Sequence, residues 1–195
     1  MTYTPIDTPH GITLWSGGDL ERYGILEKNA RLVEQWLAIG DGGTRPVPAS
    51  TLLELARHSL YAMITPTEPA EHPSQADKEK AAHYRLAGHV AVYSKTPNAP
   101  EDPPALLLRS LIVPKVYRGC GIAGTLIAGA VQFAEALAES QPHHLLARTT
   151  SPELFEKFGF EIADPAINTL YPITDNDPAK VILYRRIASV IPAPA

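Results

Sequence analysis

Between Leu106 and Leu137 the chain reads strand, glycine turn, helix, and no other stretch restricts its fold so tightly. Leu106–Val113 is an apolar run interrupted only by Arg109 and Ser110, with the length and branching of a buried strand. Pro114, Lys115, Val116, Tyr117 and Arg118 form a connection, and three glycines follow, Gly119, Gly121 and Gly124. Beyond them Ile122, Leu126, Ala130, Phe133 and Leu137 recur at helical spacing. Such a turn binds anions. Glycines let backbone N–H groups approach without a Cβ in the way, and the helix start adds unpaired donors and a partial positive charge. Lys115 and Arg118 add formal charge beside it, so the pattern predicts a phosphate-bearing ligand.

The glycines spell G-x-G-x-x-G, the dinucleotide fingerprint, and that reading is tested first. In the dinucleotide fold the strand runs straight into the first glycine, whereas here five residues intervene after Val113. The acidic residue required about 20 positions on, at the end of the next strand, falls near Glu139, inside the helical pattern. Too little chain follows to complete a doubly wound sheet. An NADP-binding oxidoreductase, with Arg148 at the 2′-phosphate, is kept as the alternative use of these glycines.

A second reading uses the same residues. Arg118-Gly119-Cys120-Gly121-Ile122-Ala123 fits R/Q-x-x-G-x-G/A, with Val113 five residues before the arginine. Downstream, Ser151–Phe160 reads S-P-E-L-F-E-K-F-G-F. The first resembles the acyl-CoA signature of the GNAT superfamily of N-acyltransferases, and the second resembles its short helix ending in (Y/F)-x-K-x-G-F. Two landmarks in order, separated by a helix and a strand, are more specific than either alone, and the resemblance spans 106–160.

The resemblance implies an α/β (α+β) fold: one GNAT-like domain with a mixed, mostly antiparallel sheet and splayed central strands, in the order β-α-α-β-β-β-α-β-α-β-β. It implies acetyl-CoA as co-substrate and direct acetyl transfer, in a ternary complex, to a primary amine of a small molecule, with a homodimer as the assembly. Backbone groups of Arg118, Gly119, Cys120, Gly121, Ile122, Ala123 and Gly124 would hold the diphosphate. Leu111, Ile112 and Val113 would pair with the pantetheine arm, one of their N–H groups facing the thioester oxygen as electrostatic stabilisation. Pro114 has no N–H, so pairing must stop there.

The acceptor's proton is harder to assign. A lysine-type amine, with a pKa of about 10.4, needs a base, and an α-amine at about 7.7–8.0 needs far less help. The central strand offers only Arg109 and Ser110 at polar positions, and the neighbouring strand offers His89, so His89 and Ser110 are the candidate catalytic residues. Glu54 and His58 are further candidate bases. Phe155 stands where the family usually has a tyrosine as general acid, leaving Tyr84, Tyr93, Tyr117 and Tyr171 as substitutes and a non-catalytic CoA-binding module as a further alternative. A phenylalanine there, after the pair Thr149-Thr150, is similar to the amino-acid N-acetyltransferase branch. That points to a small amino acid acceptor whose carboxylate Arg109 or Arg148 could hold in fork geometry. Cys120 reads as a loop residue facing the diphosphate, far from the thioester.

The rest of the chain sets limits. A length of 195 residues suits one domain, 1–195, with 66–82 as a mobile insertion that could cover the acceptor site and 188–195 as a tail. A net charge of −4 argues against nucleic-acid binding, which needs a basic face. One cysteine excludes an intramolecular disulfide, and no leader or membrane-spanning run is visible, so a soluble cytoplasmic protein is expected. Adjacent His143 and His144 on a strand face opposite ways, so no metal site is expected. Helices are predicted from Asp19 to Gly40, from a Thr51–Glu54 capping box to His58, and over 74–80 and 152–158. Strands are predicted at 10–16, 60–65, 84–94, 143–149, 160–163 and 180–187, with a loop over 164–178.

Overall fold

The computed structural model describes residues 11–39, 47–65, 69–99, 102–137, 143–172 and 179–187. Its elements are β1 (Ile12–Ser16), α1 (Gly17–Arg22), α2 (Leu26–Ala38), α3 (Ala49–Glu54), β2 (Ser59–Ile64), α4 (Gln75–Ala81) and β3 (Arg85–Lys95). There follow β4 (Ala105–Ile112), α5 (Ile122–Leu137), β5 (His143–Thr149), α6 (Pro152–Glu156), β6 (Glu161–Ile162), α7 (Pro165–Leu170) and β7 (Val181–Ile187). Short 3-10 turns occupy Ala56–His58 and Lys115–Tyr117. The hydrogen-bonded strand order is β1-β2-β3-β4-β5-β7-β6.

β1/β2, β2/β3, β5/β7 and β6/β7 pair antiparallel, and β4/β5 is parallel. This mixed, mostly antiparallel sheet is the expected architecture. It is not the doubly wound parallel sheet that the dinucleotide reading of the glycines requires. The parallel ladder joins Ala105–Leu108 to His144–Ala147 and, among the described residues, goes no further, although β4 continues through Arg109 to Ile112.

The chain divides into two units, 1–91 with 110–129 and 92–109 with 130–195; β3, β4 and α5 pass from one to the other. In the first unit Trp15, Leu20, Val33, Leu37, Tyr61 and Met63 lie in one buried cluster, and the Trp15 ring meets Tyr23 and Tyr84. The predicted 19–40 helix is two helices. Gly24, at φ +73°, turns the chain between them, a conformation that L side chains rarely adopt. The cap is Ser16 rather than Asp19: the Asp19 N–H donates to Ser16 Oγ at 3.1 Å, and Asp19 Oδ2 accepts from the Ser16 N–H at 2.7 Å. α3 likewise starts behind Pro48, before the expected Thr51 box, and ends at Glu54. α5 approaches β1 and β2 closely because Gly129 has no side chain. A Cβ there would stand 2.5 Å from Leu14 Cδ1 and 3.1 Å from Leu60 Cδ1.

In the second unit Ala105, Leu107, Leu146 and Tyr171 form the buried cluster, with Ile167, Leu170 and Tyr184 packed on it. The expected 164–178 loop contains α7, capped by Asp164 Oδ1, which accepts from the Ile167 N–H at 2.9 Å. Tyr171 Oη donates to the Pro103 carbonyl at 2.6 Å, so His144 Nδ1 must donate to that hydroxyl at 2.9 Å. Residues 188–195, expected as a tail, lie outside the described residues.

Candidate functional site

The glycine bend starts where β4 ends. The strand stops at Ile112, one residue before the expected Val113, and Pro114 opens the 3-10 turn, in which the Tyr117 N–H donates to the Pro114 carbonyl at 2.9 Å. Arg118 Nε donates back to the Val113 carbonyl at 3.0 Å and ties the two ends of the connection together. Gly119 and Gly121 both sit at φ +78°, in the left-handed region, one on each side of Cys120. These two angles are why glycine is needed twice.

Gly121 leads directly into the 16-residue helix α5, whose first intrahelical bond runs from the Thr125 N–H to the Gly121 carbonyl at 3.1 Å. Glycine at this place has no side chain with which to cap the N–H groups of Ile122, Ala123 and Gly124. A helix start of this kind favours an anion through those donors and the helix dipole. Arg118, Gly119, Cys120 and Gly121 are all exposed, so an anion can reach the bend from solvent. The expected diphosphate-binding residues are therefore contiguous, and Leu111, Ile112 and Val113, half-buried, lead into them. The chemistry of the bend fits a phosphate-bearing ligand.

One irregularity marks the strand just before the bend. Ser110, buried, has φ +53°, a left-handed angle for a residue with a Cβ, which costs about 1–3 kcal/mol and breaks the strand's alternation. Its carbonyl accepts a hydrogen bond from His89 Nδ1 at 3.2 Å. His89 is fully buried on β3 opposite Tyr61 of β2, with the two rings 4.9 Å apart at 60°. Burial pushes the His89 imidazole down to about 4, against a smaller upward effect of its bond to Ser110. The ring is neutral at pH 7, carries its proton on Nδ1, and leaves Nε2 without a hydrogen-bond partner among the described residues. Burial likewise pushes the Tyr61 phenol up to about 12. Gly88, next to His89, lets β4 approach: a Cβ there would stand 3.1 Å from the Ile112 carbonyl oxygen and 2.9 Å from Leu126 Cδ1.

The two candidate catalytic residues thus meet, through the serine's carbonyl and not its hydroxyl. Sequence reasoning missed Tyr61, whose pairing with His89 depends on a register no local pattern displays. Glu54 and His58 are exposed. Arg109 lies over the Tyr93 ring, its Cζ 5.8 Å from the centroid. Tyr171 is committed to Pro103 and His144, which removes it from the substitutes for a general acid. Phe155 is buried edge-on to Phe160 at 5.4 Å, and Thr149 Oγ1 accepts from the Ser151 N–H at the start of α6. The described part of 66–82 contains α4, with Ala81 buried in the first unit's core and the Ala70 N–H bonded to Tyr23 Oη. Among the described residues no group of three or more His, Cys, Asp or Glu side chains could hold a metal ion, and no helix is long and apolar enough to cross a membrane.

The strand order, the parallel ladder that ends at Leu108, and the exposed bend into α5 belong to one fold, that of the GNAT N-acetyltransferases. Solved structures similar to this chain include the following three. Naa50 of Arabidopsis thaliana, in complex with the bisubstrate analogue CoA-Ac-MVNAL, superposes with a TM-score of 0.55 at 14% identity, over 90% of this chain and 98% of that one. The GNAT family N-acetyltransferase YhbS of Escherichia coli, in complex with CoA, gives 0.53 at 17% identity, over 96% and 86%. N-acetylglutamate synthase of Neisseria gonorrhoeae, with coenzyme A and N-acetyl-glutamate, gives 0.53 at 16% identity, over 90% of this chain and 35% of its own length. No protein-family model matches the sequence, and no curated protein matches it.

Proposed function

We propose that this protein is an acetyl-CoA-dependent N-acetyltransferase that acts on the primary amine of a small molecule, with an α-amino acid as the acceptor class. The observation that carries the reading is the exposed bend with its two left-handed glycines at the start of α5, on a fold shared with CoA-bound N-acetyltransferases. Backbone groups from Arg118 to Gly124 hold the diphosphate, and Leu111, Ile112 and Val113 lie along the pantetheine arm. The co-substrate supplies an activated acetyl thioester. The chain's part is to hold it, to set an N–H group against the thioester oxygen, and to admit the amine.

The acceptor class follows from proton chemistry. His89 is the buried imidazole at the Ser110 irregularity, and burial makes it a weak base. An α-amine is less basic than a lysine-type amine, so a larger share of it is neutral at physiological pH and less help is asked of a base. A lysine-type amine would need one. The N-acetyl-glutamate held by one of the structural relatives is in keeping with an amino acid acceptor.

A thermal-shift panel tests the donor. CoA and acetyl-CoA are expected to raise Tm and NADPH to leave it unchanged; stabilisation by NADPH alone would overturn the proposal. Thiol release from acetyl-CoA across an amine library then tests the acceptor, with α-amino acids expected to exceed lysine-type amines. CoA binding with no turnover on any amine would favour a binding module.

A further inference from the structure

Resting on that transferase reading, we infer that His89 is a positioning residue: its bond to the Ser110 carbonyl fixes the Ser110–Leu111 peptide plane and so aims the Leu111 N–H at the thioester oxygen. In a planar trans peptide the carbonyl of one residue and the N–H of the next point in opposite directions. Whatever holds the Ser110 carbonyl therefore sets the direction of the Leu111 N–H. Within an ordinary ladder a strand carbonyl is held by a neighbouring backbone N–H. Here a side chain holds it, at 3.2 Å, at a residue whose φ of +53° would relax if nothing opposed it.

The holder is itself held. His89 is fully buried, its ring lies against Tyr61, and its cross-strand pairing fixes its Cα. A neutral ring with the proton on Nδ1 is the form that can donate to a carbonyl, and burial keeps it neutral over the physiological range. The same burial makes Nε2 a poor proton acceptor for an amine. His89 acts on the reaction through the backbone.

The test replaces His89 with Ala, Asn and Gln. The Asn amide nitrogen occupies the place of Nδ1, whereas the Gln amide is one methylene too far along. Acetyl-CoA labelled with carbon-13 at the carbonyl is bound to each full-length protein, and the carbonyl stretch is read by difference infrared spectroscopy, with affinity from calorimetry. For the wild type and H89N the band is expected below that of free acetyl-CoA. In H89A and H89Q it returns towards the free value, with affinity changed less than about threefold. With the best amine of the library, kcat falls about 10–100-fold in H89A and H89Q, KM for acetyl-CoA holds, and H89N restores the rate, since a misaimed donor forfeits part of the 10²–10³ that such a donor contributes.

An identical band in the wild type, H89A and H89Q overturns the positioning role. So does a kcat lost equally in H89A and H89N, which would assign the imidazole a proton-transfer part. Should H89A fail to fold, the Asn–Gln comparison carries the same decision. A wild type that does not bind acetyl-CoA overturns the transferase reading itself, an outcome visible before any variant is made.

Discussion

Gly121→Glu is the sharpest perturbation of the proposed diphosphate site. Gly121 has φ +78°, so any side chain costs about 1–2 kcal/mol of left-handed strain. The residue is exposed at the start of α5, so the carboxylate meets solvent and the incoming anion, not the core. Each unit of like charge at roughly 4 Å costs about 1 kcal/mol even at the dielectric of water, and a diphosphate carries about two. The strain is carried by free and bound protein alike and lowers Tm, whereas the charge, about 2 kcal/mol, raises the Kd for CoA about 30-fold. Gly121→Ala isolates the strain, and pantetheine, which lacks the diphosphate, isolates the charge. Calorimetry should show CoA weakened about thirtyfold more by Glu than pantetheine is, with partial recovery at 1 M salt, where the Debye length is about 3 Å. A folded Gly121→Glu protein that binds CoA as the wild type does would refute the assignment of the bend.

Two further outcomes follow from burial. The His89 pKa is about 4 in the folded chain and 6.5 ordinarily, so between those values the unfolded chain binds more protons and stability falls as pH drops from 6.5 towards 4. Urea unfolding at pH 7 and pH 4.5 should show the wild type losing on the order of 2 kcal/mol more than His89→Asn; equal losses would contradict a buried neutral imidazole. Phe155→Tyr places a hydroxyl in an apolar site against Phe160, at a cost of about 1–3 kcal/mol. It should lower Tm without raising the rate of thiol release, and a faster release would show that this position can deliver the leaving group's proton.

Much of the fold was legible because local physics decides it. The 143–149 strand and the α5 stripe were read to within a residue, since an apolar run and a 3.6-residue period need no distant partner to declare themselves. The misreadings fell where a local signal had two uses. Asp19 does take part in a cap, but as the acidic partner of Ser16, which lay inside the predicted first strand. Gly24 falls inside the predicted 19–40 helix, and its positive φ divides that helix in two. α7 was hidden because Pro165 reads as loop, although proline at a first helical turn behind an Asp cap is a start signal.

The site divides along the same line. Its proposed anion-binding half consists of consecutive residues whose types alone carry the chemistry, because backbone N–H groups would bind and glycine is what exposes them. The half proposed to face the reacting carbonyl depends on Ser110 adopting an angle that serine seldom adopts, and on a carbonyl held by a histidine twenty-one residues away in sequence. Neither is encoded by neighbours in the chain. The Tyr61–His89 pairing, the small Gly88 beside it and the two strands' register together produce the constraint. In a transferase that works largely through main-chain donors, the residues that decide where those donors point can be ones that never touch substrate. A search for acid and base side chains passes over them.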